Sequence, residues 1–185
     1  LKYFFVVISL ICSNVFGQTI NRYGTTAANF LEIGVGSRAT SMGDAYVAVA
    51  NDVSSIYWNP AGLSNVSNSS ALFMVQPWLV DIDMLFAGGA VVVPNVGVLG
   101  LGITHLDYGE MDVTNLEYQD GTGERFGASD MAATFTFSRK IVSWFSFGSS
   151  MKYISSNIWH SSASAFAVDL GVLVNTKFFS FTGND

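Results

Sequence analysis

The sequence has little charge, few prolines and almost no cysteine. Of its 185 residues only 12% are charged and three are proline, whereas 50% are hydrophobic and 14% are aromatic. Soluble domains carry roughly 25% charged residues, so this composition is unusual for a protein that faces water on every side. The net charge is −6, and nucleic-acid binding, which relies on clustered Lys and Arg, is not expected.

The single cysteine lies in an N-terminal apolar segment. Residues 3–12, YFFVVISLIC, follow Lys2 and precede a polar pair, and Gly17 then offers a small residue for cleavage. This pattern predicts a secretory signal peptide over residues 1–17; a buried first strand is the alternative. The mature chain would then contain no thiol, which excludes disulfides and cysteine metal sites.

Long hydrophobic runs are also missing. After residue 16 every apolar stretch is interrupted by Gly, Ser, Thr, Asn or Asp, whereas a membrane-spanning helix needs about 18 or more apolar residues in succession. An excess of apolar residues without apolar runs is typical of a transmembrane β-barrel, because lipid-facing and lumen-facing residues alternate along each strand.

The hydrophobic period becomes two from Ser69 onward. Large apolar side chains alternate with Gly, Ala, Ser and Thr, most clearly in 128–139, 144–153 and 162–174. A soluble β-sandwich would fill its solvent face with charged residues, so small residues opposite aromatic ones favour an all-β, antiparallel transmembrane barrel. The predicted lipid-facing side chains are Phe135, Phe137, Phe145, Phe147, Phe166, Val168 and Leu170.

The connections between the six predicted strands differ in length. Short turns are expected near Pro94-Asn95 and over 140–143, whereas 106–126 reads as a long polar loop. Bacterial barrels pair short periplasmic turns with longer extracellular loops, and the order of short and long connections here agrees with that rule.

Three charged residues fall on the small-residue face of the strands: Asp130, Lys152 and Asp169. If the turns are centred on Ile141 and between His160 and Ser161, antiparallel pairing places Lys152 directly opposite both acids. We therefore predict a carboxylate–ammonium–carboxylate row on the lumen side. A structural role for this row is favoured over contact with cargo or ligand.

The segment before the strands, residues 18–68, reads as short helices and turns. Within it, NDVSSIYWNPAGL (51–63) contains Pro60, which should end any preceding helix by Trp58. The Asn-Pro-Ala-Gly sequence after Trp58 suits a type I turn. We predict a compact segment with Trp58 buried, which either plugs the barrel lumen or caps the barrel from below. The candidate plug residues are Tyr57, Trp58, Asn59, Pro60, Ala61 and Gly62.

Residues 34–64, GVGSRATSMGDAYVAVANDVSSIYWNPAGLS, resemble the N-terminal signature of the PorV/PorQ family of outer-membrane proteins, relatives of FadL-type barrels. Segments 106–114, 120–130 and 151–159 resemble later segments of proteins in that family. The resemblance implies an outer-membrane location in a Gram-negative bacterium and an N-terminal segment that occupies the barrel as a plug. It also implies about fourteen strands, so residues 69–185 would be the first part of a larger barrel.

No catalytic constellation is visible in the sequence. His105 and His160 are far apart, and neither has a neighbouring cysteine or paired carboxylates, so neither an enzyme nor a cofactor or metal is expected. Similarity to PorV implies a component of type IX secretion that handles secreted proteins bearing a C-terminal signal domain. Similarity to FadL implies transport of hydrophobic small molecules. The expected partners are outer-membrane lipid and either secreted cargo, with other secretion components, or a hydrophobic ligand.

Overall fold

The structure is a computed structural model that describes residues 28–78 and 82–175. The predicted signal peptide, residues 1–17, lies outside the described residues, as does the beginning of the predicted N-terminal segment.

Six antiparallel strands form one sheet, with the strands in chain order from edge to edge. The predicted all-β class and the number of strands within the described residues are therefore confirmed. No helix in the described residues is long and apolar enough to cross a bilayer. The strands are β1 (Ser70–Pro77), β2 (Asp83–Val93), β3 (Gly97–Asp112), β4 (Arg125–Val142), β5 (Phe145–Ile158) and β6 (Ser161–Val174).

The connection between β3 and β4 is shorter than the sequence predicted. Much of 106–126 belongs to the two strands, because their ladder continues past a register shift between Asp107 and Glu110. Beyond that shift Arg125 forms ion pairs with Glu110 and Asp112 at 3.2 and 3.0 Å. The remaining loop covers 113–124. Alternation of polar residues in long, exposed strand ends is hard to distinguish from a loop.

The two faces of the sheet differ as the alternation predicted. The strand registers place all seven predicted lipid-facing side chains on one face, called the outward face below. Many of its apolar residues are well exposed, with Phe166 at 74% and Leu101 at 65%. The opposite, small-residue face carries Gly, Ala, Ser and Thr along β3 to β6, and the residues before β1 cover it.

The N-terminal segment, defined here as residues 28–66, is built from short helices. Its elements are 3-10 helices at Asn29–Glu32 and Pro60–Asn65 and α-helical turns at Ser37–Thr40 and Ser55–Trp58. The helix that ends at Trp58 confirms the predicted effect of Pro60. Apolar side chains of this segment form one core with the sheet; its buried members are Phe30, Val35, Val53, Ile56, Leu63, Met84, Phe86, Ala90, Val98, Leu106 and Ala132.

Candidate functional site

The Asn-Pro-Ala-Gly corner, residues 59–62, begins with the predicted turn. The Gly62 amide donates to the Asn59 carbonyl at 2.9 Å, which is the hydrogen bond of a type I turn. Pro60 occupies the first position of the 3-10 helix, where its missing N–H costs no hydrogen bond. The chain then continues as the 3-10 helix Pro60–Asn65, and all four corner residues are buried.

Glycines in the sheet allow the corner to approach the strands closely. A Cβ atom at Gly148 would overlap the backbone of Pro60 and Ala61, and one at Gly171 would lie 2.9 Å from the ring carbons of Pro60. Real Cβ atoms do not approach other heavy atoms so closely, so any side chain here would push the corner away. The corner can dock on β5 and β6 only because these two positions carry no side chain.

Two apolar side chains rest on glycines in the same way. A Cβ atom at Gly100 would lie 2.7 Å from Leu63, and one at Gly102 would lie 2.8 Å from Ile56. Both apolar residues are fully buried, and burial of a side chain of this size stabilises a protein by about 1.5–3 kcal/mol. The small-residue face is therefore complementary in shape to the N-terminal segment.

Asn59 links three separate parts of the chain. Its side-chain oxygen accepts from the Ala61 amide at 3.0 Å, while its side-chain nitrogen donates to the carbonyls of Val47 at 3.0 Å and Val172 at 3.3 Å. Asn59 is 5% exposed, so water cannot replace these partners. The residue caps the 3-10 helix and at the same time attaches the corner to β6.

Hydroxyl groups of β4 and β5 complete the polar contacts below the corner. Ser138 donates from Oγ to the Ala61 carbonyl at 3.2 Å, and the hydroxyls of Thr136 and Ser150 are 2.8 Å apart. Thr136, Ser138 and Ser150 are all buried. The bond from Ser138 attaches the corner to β4, whereas Thr136 and Ser150 are satisfied by each other, so none of these three buried hydroxyls is left unpaired.

Tyr57 holds the beginning of the segment against its end. Its hydroxyl lies 2.7 and 2.8 Å from the carbonyls of Leu31 and Ile33, and its ring packs edge-on against Phe86 at 6.4 Å. Burial, aided by the nearby carboxylates of Asp44 and Glu32, raises the pKa of Tyr57 above its usual range. The phenol therefore stays neutral and remains a hydrogen-bond donor.

Trp58 differs from the prediction that it is buried, because it is half-buried. Its indole nitrogen donates to the Val35 carbonyl at 2.9 Å. Its ring packs against Tyr46 and Tyr57 within a second small cluster, whose buried members include Ala39 and Tyr46. Trp58 thus stabilises the N-terminal segment itself, whereas Ile56 makes the contact with the sheet.

Lys152 forms an ion pair with Asp169. The distance from Nζ to Oδ2 is 2.7 Å, with side-chain exposures of 13% and 41%. The ammonium group also lies 6.0 Å from the centroid of the Tyr57 ring, within the range of a cation–π contact. The pair and the ring line a cavity of about 380 Å³ between the corner and strands β5 and β6.

Of the predicted row of three charges, only Lys152 and Asp169 form a pair, and the predicted register is wrong. Lys152 pairs in register with Thr134 and Ala167, not with the two acids, because the turns are centred elsewhere than expected. The Lys152 side chain still reaches Asp169, which lies diagonally opposite it on β6. Asp130 instead accepts hydrogen bonds from the hydroxyls of Tyr108, at 2.7 Å, and Ser156.

A double-mutant cycle with Lys152→Gln and Asp169→Asn should show that the ion pair contributes to stability. We expect a coupling of about 1–2 kcal/mol, since the ammonium is mostly buried but the carboxylate is partly screened by solvent. The measurement is the free energy of unfolding of the four variants. The exposed pair of Arg125 and Glu110 is the control, with an expected coupling below about 1 kcal/mol; equal couplings for the two pairs would contradict the assignment.

Sequence reasoning placed the partners of the corner on the correct face without identifying them. Gly148, Gly171 and Ser138 belong to the small-residue face, but no local signal distinguishes them from other small residues. His105 lies in β3, and His160 stacks on Trp159 in the β5–β6 turn at 4.8 Å between ring centroids. Within 28–78 and 82–175 no group of three or more metal-ligating side chains occurs.

No family model and no curated protein matches the chain.

Proposed function

We propose that this chain is the first part of an outer-membrane β-barrel and that its N-terminal segment is a plug on the lumen side. One observation carries the proposal: the sheet has an apolar face left exposed and a small-residue face that the N-terminal segment fills. A soluble protein rarely exposes a contiguous apolar patch larger than a few hundred Å². In a bilayer the same face would contact acyl chains.

The buried position of the corner supports a plug rather than a cap. Irregular backbone is tolerated at membrane depth only where protein covers it or a cavity surrounds it. The corner lies against Gly148 and Gly171, each three residues inside its strand, and Ile56 lies against Gly102, five residues inside β3. A cap would contact turns and strand ends instead.

For the activity we propose handling of secreted proteins with a C-terminal signal domain, as the resemblance to PorV in residues 34–64 implies. The alternative, passage of hydrophobic small molecules, requires an apolar path behind the plug. Beside the corner, strands β4 to β6 instead carry buried hydroxyl groups of Thr136, Ser138 and Ser150 and the ion pair of Lys152, and the apolar core with the segment is formed mainly by β2 and β3. The polar part of this lining favours a protein substrate.

Deletion of residues 25–63 from the complete protein tests the plug. The truncated protein should show a higher single-channel conductance in planar bilayers than the intact protein, because the lumen is no longer filled. Capture experiments with the intact protein should then retain secreted proteins through their C-terminal domain, and should lose them when that domain is removed. Unchanged conductance contradicts the plug, and retention of long-chain fatty acids in place of proteins supports the alternative activity.

Val168→Arg should destabilise the protein in a bilayer. Val168 is 69% exposed on the outward face, so an arginine meets no steric barrier there. Near mid-membrane it should cost about 2–4 kcal/mol, whereas Ser162→Arg, on the same strand and face but beyond the apolar band, should cost about 0–1 kcal/mol. Folding into lipid vesicles, followed by urea titration, measures both. Equal costs would show that this face does not contact lipid.

A further inference from the structure

A shallow apolar groove crosses the outward face. It has a volume of about 680 Å³, within the usual range of small-molecule sites. The small residues Ala87, Gly89 and Ala133 form the floor of the groove, and larger side chains such as Phe135 and Phe166 flank it. A smooth barrel wall would not need such a groove. The apolar lining of the groove offers contacts to a hydrocarbon chain.

Two basic residues lie at the end of β4 below this groove. Arg139 and Lys140 are exposed, and within the described part of the chain neither lies within ion-pair distance of a carboxylate. The other strand cations differ, because Arg125 and Lys152 are both paired. Among the described residues, Arg139 and Lys140 are thus the strand cations available for an anionic group.

Arg139 shares the outward face with the groove. It follows Phe135 by four residues, and residues two apart along a strand point to the same side. The distance along the strand is therefore about 13 Å, which for a strand tilted by about 40° is about 10 Å along the membrane normal and lies within the roughly 15 Å depth of one leaflet of the hydrocarbon core. A lipid whose headgroup contacts Arg139 can thus place an acyl chain in the groove.

The neighbouring turn carries the residue type expected at a membrane boundary. Trp144 is 56% exposed and contacts Phe145 at 5.8 Å between ring centroids. Tryptophan is enriched where the bilayer meets water. The position of Trp144 places Arg139 and Lys140 at headgroup level.

We infer that the outward face binds one anionic phospholipid, with its phosphate at Arg139 and an acyl chain in the groove over Ala87, Gly89 and Ala133. The inference rests on the proposed membrane location and deepens it, since it names the lipid class that this wall retains. The occupant is a lipid of the leaflet on the side of the β2–β3 and β4–β5 turns, which is the periplasmic side in the proposed orientation.

The test uses the complete protein in nanodiscs that contain phosphatidylglycerol and phosphatidylcholine. Native mass spectrometry measures which lipids stay bound. Arg139→Gln should lower the ratio of retained phosphatidylglycerol to phosphatidylcholine about fivefold, whereas Arg125→Gln, at the other end of the sheet, should leave it unchanged. An unchanged ratio in Arg139→Gln overturns the headgroup assignment.

A second variant tests the groove. Gly89→Phe fills the recess without disturbing the fold, because the nearest atom to a Cβ there is the Ser70 carbonyl oxygen at 4.0 Å. It should reduce retention of both lipids and leave their ratio unchanged. If it dissociates a protein complex instead and lipid retention persists, the groove binds a protein partner and the inference is wrong.

Insertion itself separates the two proposals. Quenching of tryptophan fluorescence by brominated lipids, to which the exposed Trp144 contributes, reports whether the protein enters the bilayer. Insertion with no effect of Arg139→Gln and Gly89→Phe overturns the lipid site alone. Failure of the protein to insert overturns the lipid site together with the proposed location.

Discussion

Replacing Gly148 with alanine should release the N-terminal segment from the sheet. The new Cβ atom would overlap the backbone of Pro60 and Ala61, and backbone cannot rotate away as a flexible side chain can. Overpacking of this kind costs about 3 kcal/mol, which corresponds to roughly a hundredfold increase in the undocked population. The effect should exceed that of most single substitutions because it acts where the fit is closest.

A cysteine at position 61 can report this release. Ala61 is fully buried, and the mature chain is predicted to contain no other thiol, so Ala61→Cys should react slowly with a maleimide in the otherwise unchanged protein. Adding Gly148→Ala should accelerate labelling strongly. The matched control is Gly89→Ala, where the nearest atom to the added Cβ is the Ser70 carbonyl oxygen at 4.0 Å and labelling should stay slow; equal rates in the two backgrounds would show that the corner does not dock on Gly148.

Asn59→Asp should be the other substitution with a large effect. The amide that donates to the carbonyls of Val47 and Val172 would become a carboxylate oxygen that repels both. The loss of two buried hydrogen bonds together with a buried negative charge should cost about 3–5 kcal/mol at neutral pH. Free energies of unfolding, measured by denaturant titration, test this expectation.

The cost of Asn59→Asp should shrink at low pH. Burial beside two carbonyls raises the pKa of the introduced carboxyl in the folded state, so stability is lost as pH rises above the unfolded value of about 3.9. Below that value the neutral acid can donate one hydrogen bond. Asn68→Asp, at an exposed position, is the control and should show little effect at any pH. A loss of stability that does not depend on pH would contradict the proposed contacts of Asn59.

The local structure around the corner could be predicted because it depends on few residues. Pro60 excludes its predecessor from helical backbone, and the helix does end at Trp58. The faces of the strands could also be predicted, since side chains alternate regardless of which strands pair. The outward positions of Phe135 and Phe166 result from that alternation alone.

The exposure of Trp58 and the ends of β3 and β4 could not be predicted in the same way. Whether an aromatic residue packs on its own segment or on a distant sheet depends on the space that other elements leave. Trp58 contacts Tyr46 within its own segment, and Ile56, two residues earlier, meets the sheet at Gly102. The sequence pattern indicates that an apolar side chain is buried, but it does not indicate which residues that side chain packs against.

By itself the sequence determined the class of the fold, the division into a helical segment and a sheet, and the side of the sheet on which each residue lies. Only the tertiary structure decided the register, and with it the partners of Lys152 and the glycines that meet the corner. The reason is physical: a shift of two residues between neighbouring strands keeps every side chain on its face, so the hydrophobic pattern cannot distinguish the alternatives. The turn between β5 and β6, formed by Trp159 and His160, and the fit of Pro60 against Gly148 select one of them.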